Sequence, residues 1–195
     1  MKKRTGIFGG SFDPVHSGHL EVADSFLKSG LIDELLILPT PYPPHKKEKN
    51  QTPFHHRLKM LEIAFAGWDS VKISDLEANL PSPSYTLQTL RYLKKENPDT
   101  RFFLCLGEDN LKIFEKWYKS DEILKETVLI IAERPGFDSS GIPPKILERA
   151  VFVEHHPVDA SSTRVRKAMK QSGDLLPENV AEYIQKHGLY QERKS

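Results

Sequence analysis

Six short apolar runs, separated by stretches of helical rhythm, restrict what this 195-residue chain can fold into. Thr5–Phe8, Leu35–Leu38, Val71–Leu76, Phe102–Leu106, Thr127–Ala132 and Val151–Glu154 are rich in apolar and β-branched residues and mostly bounded by Gly, Pro or Asp, which predicts buried strands. Between them, apolar residues recur with a period near 3.6. Leu20, Ala23, Phe26 and Leu27 share one broad face with Val22 at its edge, and Gly30 supplies a stop. Leu58, Leu61, Ile63, Ala64 and Phe65 mark a second helix, Leu87, Leu90, Tyr92 and Leu93 a third, and Leu111, Ile113, Phe114 and Trp117 a fourth. Strands alternating with helices imply parallel pairing through right-handed crossovers, with helices on both faces. The expected fold class is therefore α/β, a doubly wound, Rossmann-like parallel sheet. Ser161–Gln171 and Pro177–His187 read as helices with no strand between them. They predict a small helical C-terminal piece (residues 161–195) within a single domain of residues 1–195.

The composition excludes several classes. Net charge is +1 with histidine neutral, which argues against nucleic-acid binding by bulk positive charge. The longest apolar runs fall far short of the roughly 20 residues that span a bilayer, and MKKRTGIFGG has no apolar region of signal-peptide length. The single cysteine, Cys105, can form no internal disulfide and reads as a small buried hydrophobe in FFLCLG. A cytoplasmic protein is expected, without membrane or nucleic-acid partners; a homo-oligomer is compatible with this composition. Pro39–Gln51, with four prolines followed by KKEK, predicts an exposed loop.

In a doubly wound sheet, ligands sit beyond the carboxyl ends of the strands, where the winding reverses. The first such place holds GGSFDPVHSGH, Gly9 to His19. It is neither G-x-G-x-x-G nor a P-loop. Gly9 and Gly10 permit close approach of a ligand to the main chain, and Ser11 and Phe12 follow. His16 and His19, three apart at a helix start, can project from one face, and Gly18 leaves room between them for a flat ligand. Free N–H groups at the helix start favour phosphate. A zinc pair is disfavoured because the i,i+4 spacing and glutamate of H-E-x-x-H are absent, and no residue is assigned to a metal.

A second anion clasp is legible at SSTRVR. Ser161 or Ser162 caps a helix, and Arg166, four residues after Ser162 on the same face, can grip phosphate with its fork, while Arg164 faces solvent. Asp109, beyond the fourth strand in Gly107-Glu108-Asp109-Asn110, suits ribose hydroxyls. Trp117 offers either a stacking face or core volume. Arg134 of Arg134-Pro135-Gly136 either orients a loop or reaches a nucleotide. His55-His56 and His155-His156 are expected at element ends without partners, Tyr183 on the apolar face of the last helix, and Tyr190 just past it.

GGSFDPVHSGH resembles the H-x-G-H signature of nucleotidyltransferases, and specifically that of nicotinate-nucleotide adenylyltransferases. Three further motifs follow in the family's order: Pro43-Pro44-His45-Lys46 resembles P-P-H-K/R, Ser84-Tyr85-Thr86 opens a helix, and the SSTRVR stretch resembles I-S-S-T-x-I-R, with Ala160 in place of the first isoleucine. Thr40 and Glu108 depart from the residues common in relatives, asparagine and a small residue respectively. The resemblance implies transfer of the adenylyl group of ATP to nicotinate mononucleotide, giving nicotinate adenine dinucleotide and pyrophosphate, with Mg2+ accompanying ATP. It assigns His16, His19, Lys46 and Arg166 to catalysis. It places Gly9, Gly10, Ser11, Phe12, His16, Gly18, His19, Ser161, Ser162 and Arg166 around ATP. Around the mononucleotide it places His45, Lys46, Thr86, Gly107, Asp109, Trp117 and Arg134, with Thr86 helping to hold the ring carboxylate. Rival readings are the same transfer to nicotinamide mononucleotide or phosphopantetheine, and a non-catalytic nucleotide-sensing module.

Overall fold

The computed structural model describes residues 2–41, 51–155, 160–167 and 175–191. Within them the six runs form six strands: β1 (Lys3–Gly10), β2 (Glu34–Pro39), β3 (Val71–Ile73), β4 (Thr100–Gly107), β5 (Val128–Glu133) and β6 (Ala150–Glu154). They make one parallel sheet in the order β3-β2-β1-β4-β5-β6. From β1 the chain winds outward through β2 and β3, then crosses back to β4 and winds the other way. The carboxyl ends of β1 and β4 therefore flank the reversal, the place where doubly wound sheets bind ligands.

Alternation along the central strands divides the core in two. Phe103 and Cys105 of β4 and Ile130 and Ala132 of β5 face one side, with Phe26, Met60, Val180 and Ile184. Leu104, Leu106, Leu129 and Ile131 face the other, with Leu90, Phe114 and Ile123. A strand buried on both faces is necessarily apolar at every position, which is why these runs are continuous. Helices α1 (Ser17–Lys28), α2 (Phe54–Ala64) and α8 (Glu178–Lys186) cover the first side. Helices α3 (Thr86–Glu96), α4 (Glu108–Ile113), α5 (Ser120–Glu126) and α6 (Pro144–Leu147) cover the second. Helix α1 stops at Ser29, and Gly30 follows at φ +68°, a left-handed position that suits glycine. No helix of the described residues is long and apolar enough to cross a membrane.

Three details differ from the expectation, and part of a fourth element lies outside the described residues. The third run is a strand only to Ile73; Leu76 opens a 3-10 turn, Leu76–Asn79. The fourth helix breaks at Ile113 into a second 3-10 turn, leaving Ile113 42% exposed and Trp117 extended. Helices α5 and α6 were not expected, being too short to display a period. The Ser161–Gln171 segment is helical over α7 (Ser162–Lys167), beyond which residues 168–174 lie outside those described.

Candidate active site

A cavity of about 540 Å3 opens at the β1/β4 reversal, within the usual range of small-ligand sites. Gly9, Gly10, Ser11, Phe12, His16, Gly18, His19, Thr86, Gly107, Asp109, Trp117, Arg134, Ser161, Ser162 and Arg166 all line it. His45 and Lys46 lie outside the described residues.

In the first loop Gly9 and Gly10 have ordinary backbone angles, and the left-handed residue is Phe12, at φ +46°. Its ring is buried edge-on against Phe8, with centroids 5.4 Å apart, and against His19 at 4.9 Å, so it props the histidine. Helix α1 begins after His16, whose backbone N–H donates to Nδ1 of His19 at 3.2 Å. The two imidazoles stack with centroids 3.7 Å apart. Gly18 serves this stack: a Cβ there would sit 3.2 Å from the His16 ring and 3.5 Å from the carbonyl of Ala160. The space at Gly18 thus admits His16 and the approach to α7 rather than a ligand alone.

That approach brings the two distant helix starts together. Ser161 caps α7, its Oγ accepting from the backbone N–H of Arg164 at 3.2 Å, while the Ser162 hydroxyl donates to the carbonyl of Pro14 at 3.0 Å. Arg166 donates to the carbonyl of Asp13 at 2.6 Å, and Arg164 is exposed. Tyr190 closes the same corner, its hydroxyl donating to the Asp13 carboxylate at 2.6 Å. Burial and that carboxylate push the Tyr190 phenol far up.

At the other end, α3 starts without a side-chain cap; Tyr85 precedes it, and Ser84 makes no such bond. Tyr85 stacks on Tyr118 at 4.3 Å. Trp117 lines the cavity and packs against the core. Glu108 forms an ion pair with Arg134, Oε1 to Nε 3.2 Å, and so orients the arginine at the rim. Four buried side-chain polar atoms lack a hydrogen-bond partner among the described residues: His16 Nδ1, Glu77 Oε2, Ser84 Oγ and Trp117 Nε1. All four residues line this cavity.

Two charged residues escaped the sequence reading. Arg57, 1% exposed, donates to the carbonyls of Ser11 (2.7 Å), Thr40 (3.0 Å) and Thr52 (3.0 Å), tying the first loop to the segments beyond β2 and before α2. Its signal was available: position 57 falls on the stripe shared by Met60 and Leu61, where a charge is out of place. Glu77, in the 3-10 turn after β3, gave no signal. His56 and His155 are also partnered, against expectation. Nδ1 of His56 lies 2.9 Å from the hydroxyl of Tyr183 on the packed face of α8, and buried His155 lies 3.5 Å from the Ser25 hydroxyl. Among the described residues no three His, Cys, Asp or Glu side chains form a group suited to a metal ion.

The family model for cytidylyltransferase-like proteins matches residues 7–168. A probable nicotinate-nucleotide adenylyltransferase of Streptococcus pneumoniae is 37% identical, across 97% of this chain and 90% of the relative. The nicotinate-nucleotide adenylyltransferase of Bacillus subtilis is 36% identical, across 97% of this chain and 99% of its own. The chain belongs to the nicotinate-nucleotide adenylyltransferase family. The fold extends to more distant proteins. The nicotinic acid mononucleotide adenylyltransferase of Plasmodium falciparum, complexed with NaAD, superposes with a TM-score of 0.82 at 24% identity over 99% of this chain and all of that one.

In this adenylyltransferase both loop histidines are neutral near pH 7. Burial draws His16 down to about 4. It draws His19, closely surrounded although its edge meets the cavity, well below its ordinary value too, with the proximity of His16 adding to the effect. A histidine held below its unfolded value near 6.5 contributes stability that is complete above that pH and lost as pH falls toward the folded value. We expect unfolding free energy to drop between pH 6.5 and 4, with His16 supplying up to about 3 kcal/mol of the change. Urea titrations of wild type and His16→Asn across that range measure it. The variant should show a shallower slope, and parallel profiles would overturn the account.

Proposed function

We propose that this chain transfers the adenylyl group of ATP to nicotinate mononucleotide, producing nicotinate adenine dinucleotide and pyrophosphate for NAD biosynthesis. The observation that carries the reading is the meeting of two helix starts from opposite ends of the sequence at one cavity. One presents paired imidazoles; the other presents two serines and an arginine. Helix starts, neutral donors and a guanidinium complement a polyphosphate. The unpartnered polar atoms of His16, Glu77, Ser84 and Trp117 are what a polar ligand would satisfy.

The chemistry asks little of the protein beyond placement. The mononucleotide phosphate is ionised at neutral pH, so it attacks the α-phosphorus in line without a general base, and pyrophosphate leaves. Nδ1 of His19 accepts from the backbone, which leaves the hydrogen on Nε2 as a donor for charge developing at the α-phosphate. Arg166 and Ser162 hold the β- and γ-phosphates, with Lys46 joining them, and His16 supports the same phosphates. Gly9, Gly10, Ser11 and Gly18 shape the ATP side. Thr86 and the open start of α3 receive the ring carboxylate, Trp117 stacks the pyridine, and Asp109 at Gly107 takes a ribose hydroxyl. Arg134, held by Glu108, and His45 complete the mononucleotide end. The substrate is ATP with its Mg2+, met in the cytoplasm.

Purified protein incubated with Mg2+ and ATP should release pyrophosphate with nicotinate mononucleotide at least about tenfold faster than with the amide, since a site that pairs a charge rejects its uncharged analogue. Pyrophosphate release with neither mononucleotide would refute the reading and leave a nucleotide-sensing role.

A further inference from the structure

The two proposed substrates carry a triphosphate, a monophosphate and a ring carboxylate against one cation, the ribosylated pyridinium nitrogen, which has no hydrogen to donate. A carboxylate facing those anions from a low-dielectric wall is repelled unless it meets a hydrogen donor or the pyridinium ring, and that ring, stacked on Trp117 in the reading above, offers charge but no hydrogen bond. The donors that ATP and nicotinate mononucleotide carry are their ribose hydroxyls and the adenine amino group. Among the described lining residues only Asp109 and Glu77 bear carboxylates, while the reaction brings in two riboses.

Glu77 is the more exacting case. It is 8% exposed, and Oε1 accepts from the Thr89 hydroxyl at 2.9 Å. Oε2 is buried with no partner among the described residues. Burial pushes this carboxyl upward, and the hydroxyls of Thr89 and Thr40 only oppose it. A further donor at Oε2 would relieve that strain on its charge. Thr89 stands three residues after Thr86 on α3, so its bond places Glu77 beside the end of the cavity proposed for the mononucleotide.

We propose that Oε2 of Glu77 accepts a hydrogen bond from a ribose hydroxyl of the pyridine mononucleotide, so that Glu77 reads the acceptor's sugar. This rests on the adenylyl-transfer reading above. The test compares kcat/KM of wild type, Glu77→Gln and Thr89→Val using nicotinate mononucleotide, its 2′-deoxy and 3′-deoxy forms, and the two deoxy forms of ATP. Glutamine keeps the volume and an acceptor for Thr89 but replaces Oε2 with an amide nitrogen. Glu77→Gln should lose about 10- to 100-fold with the ribosyl mononucleotide, as loss of a hydrogen bond to a charged group does. With the deoxy form that lacks the contacted hydroxyl its loss should shrink to within about threefold. Thr89→Val, which disturbs the same carboxyl without touching Oε2, should lose equally on ribosyl and deoxyribosyl forms. Wild type itself should lose about as much on the critical deoxy form as Glu77→Gln loses on the full substrate, which keeps the test sound if the variant folds poorly. Equal Glu77→Gln penalties on all mononucleotides, a penalty relieved only by deoxy-ATP, or a wild type indifferent to both deoxy mononucleotides would each overturn the proposal. A wild type silent with the full substrates overturns the adenylyl-transfer reading beneath it, a failure visible before any substitution is made.

Discussion

Replacing His19 with alanine is expected to lower kcat by about 100- to 1,000-fold, the usual cost of removing a donor aimed at charge that develops in the transition state. The imidazole has two separable duties. Nδ1 accepts the backbone N–H of His16 and so completes the start of α1, while Nε2 carries the donor. Asparagine places an oxygen near the position of Nδ1, so His19→Asn should hold the helix start and keep stability near that of wild type while remaining as slow as the alanine variant. Glutamine extends an amide nitrogen toward the position of Nε2, so His19→Gln should recover roughly tenfold of the lost rate, a partial return of one hydrogen bond. Steady-state kinetics with thermal melts separate the two duties. An alanine variant within tenfold of wild-type kcat would remove His19 from the chemistry.

The architecture was legible where residue type and period coincide. β4 and β5 declare themselves because both faces are buried, and the first loop does so because glycines, paired histidines and a helix start fall together at a strand's carboxyl end. At SSTRVR the sequence left the cap open between Ser161 and Ser162, and the structure seats it on Ser161, with Arg166 one turn on from Ser162. What the sequence hid is partnership with the main chain. Arg57 binds three carbonyls, and a carbonyl has no letter in the sequence. Glu77 owes its position to a strand that stops at Ile73 and a 3-10 turn that follows, a boundary no apolar pattern marks. Tyr190 reaches Asp13 across 177 positions, a closure visible only once α8 is seated on α2. The short helices α5 and α6 were silent because fewer than two turns cannot display a period.

Arg57 sets the second large expectation. Its guanidinium is fully buried and forms no ion pair among the described residues; burial draws it down, opposed by the Asp13 carboxylate. Arg57→Met would fill much of the space but leave the carbonyls of Ser11, Thr40 and Thr52 without that donor. Each such buried group costs about 1–3 kcal/mol, and some recover water, so a net loss of about 3–5 kcal/mol is expected. That is a large share of the roughly 5–15 kcal/mol that holds a domain of this kind. Lysine has the charge without the planar fork and reaches at most part of the set, so Arg57→Lys should fall between. Urea unfolding at fixed pH measures the loss. Because Ser11 belongs to the histidine loop, kcat/KM should fall together with stability, and at temperatures where the variant is fully folded it should remain depressed. A methionine variant within about 1 kcal/mol of wild type would mean that the three loops hold their places without the arginine.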